Sequence, residues 1–204
     1  MLFDDTYRTI ENPAEGAFRD RGSKFLGYAF PVVGESAVKE IIANLKTEHP
    51  KANHHCWAMR LTPDRSVFKL NDDGEPSGTA GRPILNTLLS RDITNVLVVV
   101  VRYFGGTLLG VPGLINAYKQ TAEDVLNNAV IVEKTVNDIY NITFNYLQMN
   151  EVMRIIKEFE LEILLQNFDN DCAIQLAIRK MQVNAVLVRL NKVENSKISY
   201  SHSS

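Results

Sequence analysis

Cysteine and long apolar runs are both scarce in this chain, and each shortage excludes a class of protein. Its 204 residues include two cysteines, Cys56 and Cys172, which we expect in different domains, so a structural disulfide is not predicted. The longest aliphatic run, Val96 to Val101, is about a third of a membrane span. We therefore expect a cytoplasmic protein that is neither exported nor inserted in a membrane.

An excess of charge of one sign is also absent. The chain has 22 Lys and Arg against 24 Asp and Glu, a formal net charge of -2. A field this weak does not attract nucleic acid, a membrane or an acidic substrate to the protein as a whole. Any such partner must be held by a local patch of charge.

The periodicity of apolar residues predicts helices and strands throughout the chain. Glu35 to His49 reads as a helix, and Val96 to Val101 is apolar on both faces, which is typical of a central strand covered on both sides. Pro83 and Pro112 each suit the first position of a helix, because the N–H that proline lacks would be unpaired there. Two predicted helices therefore begin directly after glycine-rich segments.

The C-terminal part predicts a second domain. Its elements are a strand over Tyr140 to Tyr146, a helix over Asn150 to Phe159, strands over Leu161 to Leu165 and Cys172 to Ile178 joined by the turn NFDND, a helix over Val183 to Leu190 and a last strand over Lys197 to Tyr200. This order is ferredoxin-like, βαββαβ. We predict an α+β fold with domains at residues 1–132 and 133–204, and a frayed serine-rich tail over Ser199 to Ser204.

The most informative stretch runs from residue 71 to residue 119. It contains the segments NDDGEPSGTAGRP and RYFGGTLLGVPGL, each leading into a predicted helix. A helix N-terminus presents unpaired N–H groups and a partial positive charge, so these segments with nearby arginines form candidate anion sites. Neither matches a P-loop or a dinucleotide fingerprint. The alternative is that the glycines only permit tight turns and close packing.

Nine residues form the predicted ligand-binding set: Asp72, Asp73, Glu75, Arg82, Arg102, Tyr103, Gly105, Gly106 and Lys119. In this interpretation the basic side chains and the two glycine amides hold phosphate, the carboxylates orient the arginines, and the aromatic ring stacks on a base. The acidic triplet does not have the spacing of an EF-hand loop, so we predict a salt bridge from Glu75 or Asp73 to Arg82 or Arg102 and no bound metal or cofactor.

A second hypothesis is enzymatic and starts from His54 and His55. On a strand only His54 and Cys56 share a face, and the chain has no second Cys/His pair to complete a tetrahedral zinc site. A small-molecule or peptide hydrolase would instead use His54 or His55 as acid or base with Asp73 and Glu75. A third possibility is a protein-interaction module, which an exposed apolar patch would indicate.

The motifs HHCWA, NDDGEPSGTAGRPIL, VVVVRYFGGTLLG and GLINAY, in this order and spacing, closely resemble the IMPACT/YigZ family. The resemblance is strongest over residues 20–125. It implies a first domain like the second domain of ribosomal protein S-five and a second domain like the last, ferredoxin-like domain of elongation factor G. Both relatives act on the ribosome.

The resemblance therefore favours a non-enzymatic cytoplasmic protein of translation regulation or RNA metabolism, with RNA, the ribosome or a protein of translation control as partner and no membrane contact. One departure is visible at Gly110-Val111-Pro112-Gly113-Leu114, where bacterial members have a Gly-Thr-Gly-Gly-Leu run. The change removes a hydroxyl, but Pro112 can still begin a helix.

Overall fold

The computed structural model describes residues 5–168 and 172–203, and it shows a mixed α+β fold. The chain divides into two compact units, one over Tyr7–Lys134 and one from Thr135 onward that also includes Asp5 and Thr6. The domain boundary at 132/133 stays a prediction. Within the described residues, no helix is both long and apolar enough to span a membrane.

The first unit contains seven strands and three helices. They are β1 (Thr6–Ile10), β2 (Ala14–Asp20), β3 (Ser23–Pro31), α1 (Glu35–Glu48), β4 (His54–Leu61), β5 (Val67–Asn71), α2 (Gly81–Ser90), β6 (Val96–Tyr103), α3 (Gly110–Asn128) and β7 (Ile131–Thr135). Five strands form one sheet in the order β2-β3-β6-β4-β5, and β1 pairs with β7 in a separate two-stranded sheet.

Strand β6 lies at the centre of the five-stranded sheet, as its apolar pattern predicted. Val96 to Val101 are all fully buried, because their alternate side chains enter two different apolar clusters. Val96, Val98 and Val100 pack against α2 and α3. Leu97, Val99 and Val101 pack against α1. The sheet therefore has an α2/α3 face and an α1 face, and the side chain of each strand residue belongs to one of them.

The two helices after the glycine-rich segments begin earlier than the prolines predicted. Helix α2 starts at Gly81 and α3 at Gly110, so Pro83 and Pro112 are each the third residue of their helix. Both positions lie in the first turn, where the N–H that proline lacks has no partner within the helix. The prolines thus fit the helix starts without defining their first residue.

The described residues of the second unit form four strands and two α-helices: β8 (Asn137–Phe144), α4 (Met149–Glu158), β9 (Glu162–Phe168), β10 (Cys172–Arg179), α5 (Val183–Leu190) and β11 (Lys197–Ser203). A short 3-10 turn precedes each helix. The sheet order is β11-β8-β10-β9, with antiparallel neighbours. One face of this sheet packs Ile142, Ile174 and Leu176 against Val152 and Val186 of the helices. The turn predicted over residues 167–171 lies largely outside the described residues.

The tail predicted to fray is a strand instead. Lys197–Ser203 pairs with β8, and the ring of Tyr200 packs edge-on against Tyr140 with 5.6 Å between centroids. The serine-rich composition suggested disorder, but backbone pairing to a neighbouring strand depends little on side-chain identity. Ser204 lies outside the described residues.

Candidate functional site

Arg102 and Glu75 form a buried ion pair on the α2/α3 face, so the predicted salt bridge is confirmed. Arg102 is the seventh residue of β6, and its Nη1 donates to Glu75 Oε1 at 2.6 Å. Both side chains are at least nine-tenths buried. The guanidinium also lies 5.4 and 5.5 Å from the ring centroids of Phe25 and Phe104. Arg102 therefore serves the interior of this unit rather than an exposed phosphate site.

Tyr118 and Cys56 extend this buried pair into a network. The Tyr118 hydroxyl donates to Glu75 Oε1 at 2.7 Å, and Cys56 Sγ lies 3.2 Å from the same hydroxyl. Burial raises the pKa of the Cys56 thiol and that of the Tyr118 phenol, so both stay protonated. The sequence placed Tyr118 only on the buried stripe of α3. The signal it offered was that a buried phenol requires a hydrogen-bond partner.

Asp72 occupies the N-terminus of α2. Its Oδ1 accepts the backbone N–H groups of Gly81 at 2.8 Å and Ala80 at 3.1 Å, and its Oδ2 accepts that of Gly78 at 2.8 Å. A carboxylate in this position satisfies unpaired amides and complements the helix dipole. The first glycine-rich loop, residues 71–81, therefore supplies its own anion at the place where an outside anion was predicted.

Asp73 links the two histidines of the enzymatic hypothesis. Asp73 Oδ2 accepts the His55 backbone N–H at 2.6 Å, the Asp73 carbonyl lies 2.8 Å from His54 Nδ1, and Lys46 Nζ approaches Asp73 Oδ1 at 3.2 Å. Because a carbonyl only accepts, His54 carries its proton on Nδ1, and its Nε2 lies 3.8 Å from Glu75 Oε1. The four residues are thus close in space.

The two imidazoles nevertheless lie on opposite faces of β4. His54 shares a face with Cys56, whereas His55 lies on the α1 face with its Nε2 buried and unbonded. Burial lowers the pKa of His55, partly offset by the Asp73 carboxylate. None of the four residues lines the groove between helices α2 and α3. Among the described residues, no cluster of three or more His, Cys, Asp or Glu side chains could hold a metal ion.

The second glycine-rich loop, residues 104–109, differs from the first. A Cβ on Gly105 would lie 1.9 Å from the Gly22 carbonyl carbon, so Gly105 is required for a close backbone crossing. Gly106 has φ of +86° and open space around it. Over the described residues, the N–H groups of Gly106 to Leu109 donate no hydrogen bond to the protein. Tyr103 points away, on the α1 face, with its hydroxyl 2.9 Å from His49 Nδ1.

Arg82 and Lys119 meet in a groove between α2 and α3. The groove has a volume of about 560 Å³ and is lined by Gly78, Arg82, Pro83, Asn86, Thr87, Ser90, Ile115, Lys119 and Glu123. Arg82 is exposed and has no carboxylate partner in the described parts of the chain. Lys119 has only Glu123 Oε1 at 3.7 Å, with more than half of its own side chain exposed. These two cations remain available to an outside anion.

The two walls of the groove run in the same direction. Arg91, which ends α2, donates to Asn127 near the end of α3, so the C-terminal ends of both helices lie together. The first turn of α2 therefore lies at the opposite end of the groove, where Ile115 and Lys119 form the α3 wall.

Comparisons with known proteins agree with this architecture of two α+β units. A family model described as the Impact N-terminal domain matches residues 21–126. The chain belongs to the IMPACT family.

Two relatives and one solved structure cover most of its length. An IMPACT family member of Haemophilus influenzae is 33% identical over 181 residues, 86% of each chain. YigZ of Escherichia coli is 30% identical over 163 residues, 79% of this chain and 80% of that protein. A crystal structure described as that of a hypothetical protein has a TM-score of 0.70 at 26% identity and covers 97% of each chain. The family resemblance read from the motifs is thereby confirmed.

Proposed function

We propose that this protein is a non-enzymatic RNA-binding protein of translation regulation or RNA metabolism, and that RNA lies in the groove between α2 and α3. The observation that carries the proposal is the convergence of Arg82 and Lys119 on one open groove. Arg82 has no carboxylate partner in the described parts of the chain, and Lys119 makes one long, half-exposed contact of 3.7 Å with Glu123. Basic side chains on a groove neutralise phosphates and release their counterions.

This proposal divides the nine predicted residues into two groups. Arg82 and Lys119 line the groove and contact phosphate, whereas the free backbone N–H of Gly106 lies outside the groove lining and is a separate candidate contact. The remaining residues support the site from within: the buried Arg102–Glu75 pair anchors the first glycine-rich loop to the sheet, and Asp72 holds that loop against α2. Two cations on one groove suit a phosphate backbone.

The fold of the second unit supports a ribosomal context. We propose that this unit is a ferredoxin-like domain, which its βαββαβ order and its β11-β8-β10-β9 sheet support. We propose that this unit resembles the last domain of elongation factor G, that the first resembles the second domain of ribosomal protein S-five, and that the second unit makes an accessory contact with RNA or the ribosome. A cytoplasmic location follows from that role.

The test is the binding of a fluorescent single-stranded RNA of about 12 nucleotides, which is within the usual site size, titrated between about 50 and 200 mM salt. We expect affinity to fall with salt, and Arg82→Ala and Lys119→Ala each to weaken binding and reduce the log–log salt slope by about 0.7, the value for one phosphate contact on a single strand.

The matched controls remove the same charges from the other side of the sheet. Arg19→Ala alters an exposed arginine of β2, which pairs with Lys24 on the α1 face, and Lys39→Ala alters an exposed lysine of α1. Both should bind RNA as the unmodified protein does. Binding that is independent of salt, or that the controls weaken as much as Arg82→Ala, would contradict the proposal.

A further inference from the structure

The groove between α2 and α3 has a basic end and an acceptor-rich end. Glu123 lies four residues beyond Lys119 on α3, about 6 Å further along the helix axis. On the other wall Ser90 lies eight residues beyond Arg82, a rise of about 12 Å. Because both helices run in the same direction, Arg82 and Lys119 lie towards one end, and Ser90 and Glu123 lie further along their helices, with Glu123 Oε1 3.7 Å from Lys119 Nζ. A ligand with its phosphate at the first end reaches the second with another part.

The hydroxyls at the second end are already used as donors. Thr87 Oγ1 donates to the Pro83 carbonyl at 3.0 Å, and Ser90 Oγ donates to the Thr87 carbonyl at 3.0 Å. Each hydroxyl has one proton, so towards a ligand both offer only lone pairs. The C-terminal half of the groove therefore presents acceptors rather than donors, apart from the amide of Asn86.

Glu123 keeps acceptor capacity for a ligand. Its Oε2 accepts Gln120 Nε2 at 3.2 Å, and its Oε1 lies 3.7 Å from Lys119 Nζ, while 34% of the side chain is exposed. An ionised carboxylate offers about four lone-pair positions, so these neighbours do not saturate it. A carboxylate beside bound phosphate weakens RNA binding unless the RNA supplies a donor to it.

Nucleobases differ in whether they can supply that donor. No aromatic side chain is among the described residues that line the groove, so a base there is held by its edge rather than by stacking on a ring. Cytosine presents an N4 amine, a donor that Glu accepts, whereas a pyrimidine with a carbonyl at that position presents an acceptor. Uracil places its O4 where cytosine has that amine, so an oxygen faces the acceptors of Glu123 and Ser90 and the only donor left on this edge is the recessed N3–H.

We propose that Glu123 selects nucleobases that carry an exocyclic amine and discriminates against uracil, with Ser90 and Thr87 adding acceptors around the same base edge. The inference rests on the proposed RNA binding in this groove and deepens it from backbone recognition to base preference. In this role Glu123 determines specificity while Arg82 and Lys119 provide affinity.

The test compares two unstructured RNAs of about 12 nucleotides, oligocytidine and oligouridine, by fluorescence anisotropy at one salt concentration. We expect the unmodified protein to bind oligocytidine about tenfold more tightly, the discrimination typical of a good side-chain-to-base contact. Glu123→Gln should bring the two affinities within about twofold, because a carboxamide offers both a donor and an acceptor.

The control separates base selection from a simple gain of positive charge. Glu40→Gln removes an exposed carboxylate from α1 and should leave the ratio of the two affinities unchanged. Glu123→Gln keeps the size and shape of the side chain, and its thermal unfolding midpoint should match that of the unmodified protein. Arg82→Ala should weaken both RNAs equally.

Three results would overturn the inference. Equal binding of both RNAs, with salt dependence and the Arg82→Ala effect intact, removes the base preference and leaves the proposed function standing. A preference that survives in Glu123→Gln assigns selection to another residue. Failure to bind either RNA removes the proposed function and this inference together.

Discussion

The two glycine-rich loops of the first unit lead into helices in similar ways but treat their amides differently. In the first glycine-rich loop, Asp72 accepts three backbone N–H groups at the start of α2. In the second glycine-rich loop, the N–H groups of Gly106 to Leu109 donate to nothing in the described protein. The N–H groups at a glycine-rich helix start are therefore available to a ligand only when no side chain of the same loop already accepts them.

The number of acidic side chains in each loop explains why their backbone amides differ in hydrogen bonding. The first glycine-rich loop contains Asp72, Asp73 and Glu75, and each is bonded inward: to the α2 amides, to the His55 backbone and to Arg102. The second contains no acidic residue. A loop that carries its own anions becomes part of the framework, while a loop without them leaves its positive end of the helix to other molecules.

The largest expected effect comes from breaking the buried pair that anchors the first glycine-rich loop. Glu75→Ala leaves Arg102 charged and buried without its partner, and we expect it to lower the free energy of unfolding by about 3–5 kcal/mol. Urea denaturation measures the loss. The matched control, Glu35→Ala, breaks the exposed pair with Lys69 and should cost about 0–1 kcal/mol. Equal losses in the two variants would show that Glu75 does not anchor the loop.

A smaller effect should follow from removing the Asp72 carboxylate from the N-terminus of α2. Asp72→Ala removes the acceptor of three N–H groups and should lower the free energy of unfolding by about 1–2 kcal/mol. It should also convert the first glycine-rich loop into an anion site like the one proposed at the second, since its amides become free. Added phosphate should then stabilise Asp72→Ala more than the unmodified protein.

The exposed carboxylate of Glu40 provides the control for the loss of negative charge. Glu40→Ala should show the phosphate response of the unmodified protein. If phosphate stabilises Asp72→Ala no more than it stabilises Glu40→Ala, the contrast between an occupied and an open helix start is wrong.

Sequence reasoning reached the architecture more fully than the site. The central position of β6 followed from a run apolar on both faces. A salt bridge from Glu75 or Asp73 to Arg82 or Arg102 was predicted, and the structure forms the one between Glu75 and Arg102.

The capping role of Asp72 was missed because Asp72 lies nine positions before Gly81, too far along the chain for the usual local pattern of a capping aspartate. The hydrogen bond from Tyr118 to Glu75 was missed for a related reason. The position of Tyr118 on the apolar stripe of α3 predicted that its side chain is buried, but not which polar group, distant in sequence, would accept its hydroxyl proton.

The groove was only partly accessible from the sequence. Arg82 and Lys119 were both named, but nothing in their spacing of 37 positions showed that they line the same groove while Arg102 is buried. The parallel course of α2 and α3 decides this, and it depends on packing against one sheet face. Glu123 belongs to no recognisable motif. The selective role proposed for it depends on its position one turn beyond Lys119 on α3.

The smallest expected effect is a pH dependence at the contact between β4 and the first glycine-rich loop. Burial lowers the pKa of His55 below that of the unfolded chain, partly offset by the Asp73 carboxylate, while Lys46 and His49 also face it. Between the two pKa values the unfolded chain binds the extra proton, so stability falls as pH decreases from about 6.5. Urea midpoints at about pH 7.5 and about pH 5.5 should therefore differ more in the unmodified protein than in His55→Gln. The control is His202→Gln, which alters an exposed histidine of β11 and should keep the full difference between the two urea midpoints. If His55→Gln also keeps that difference, the pH dependence belongs to other groups.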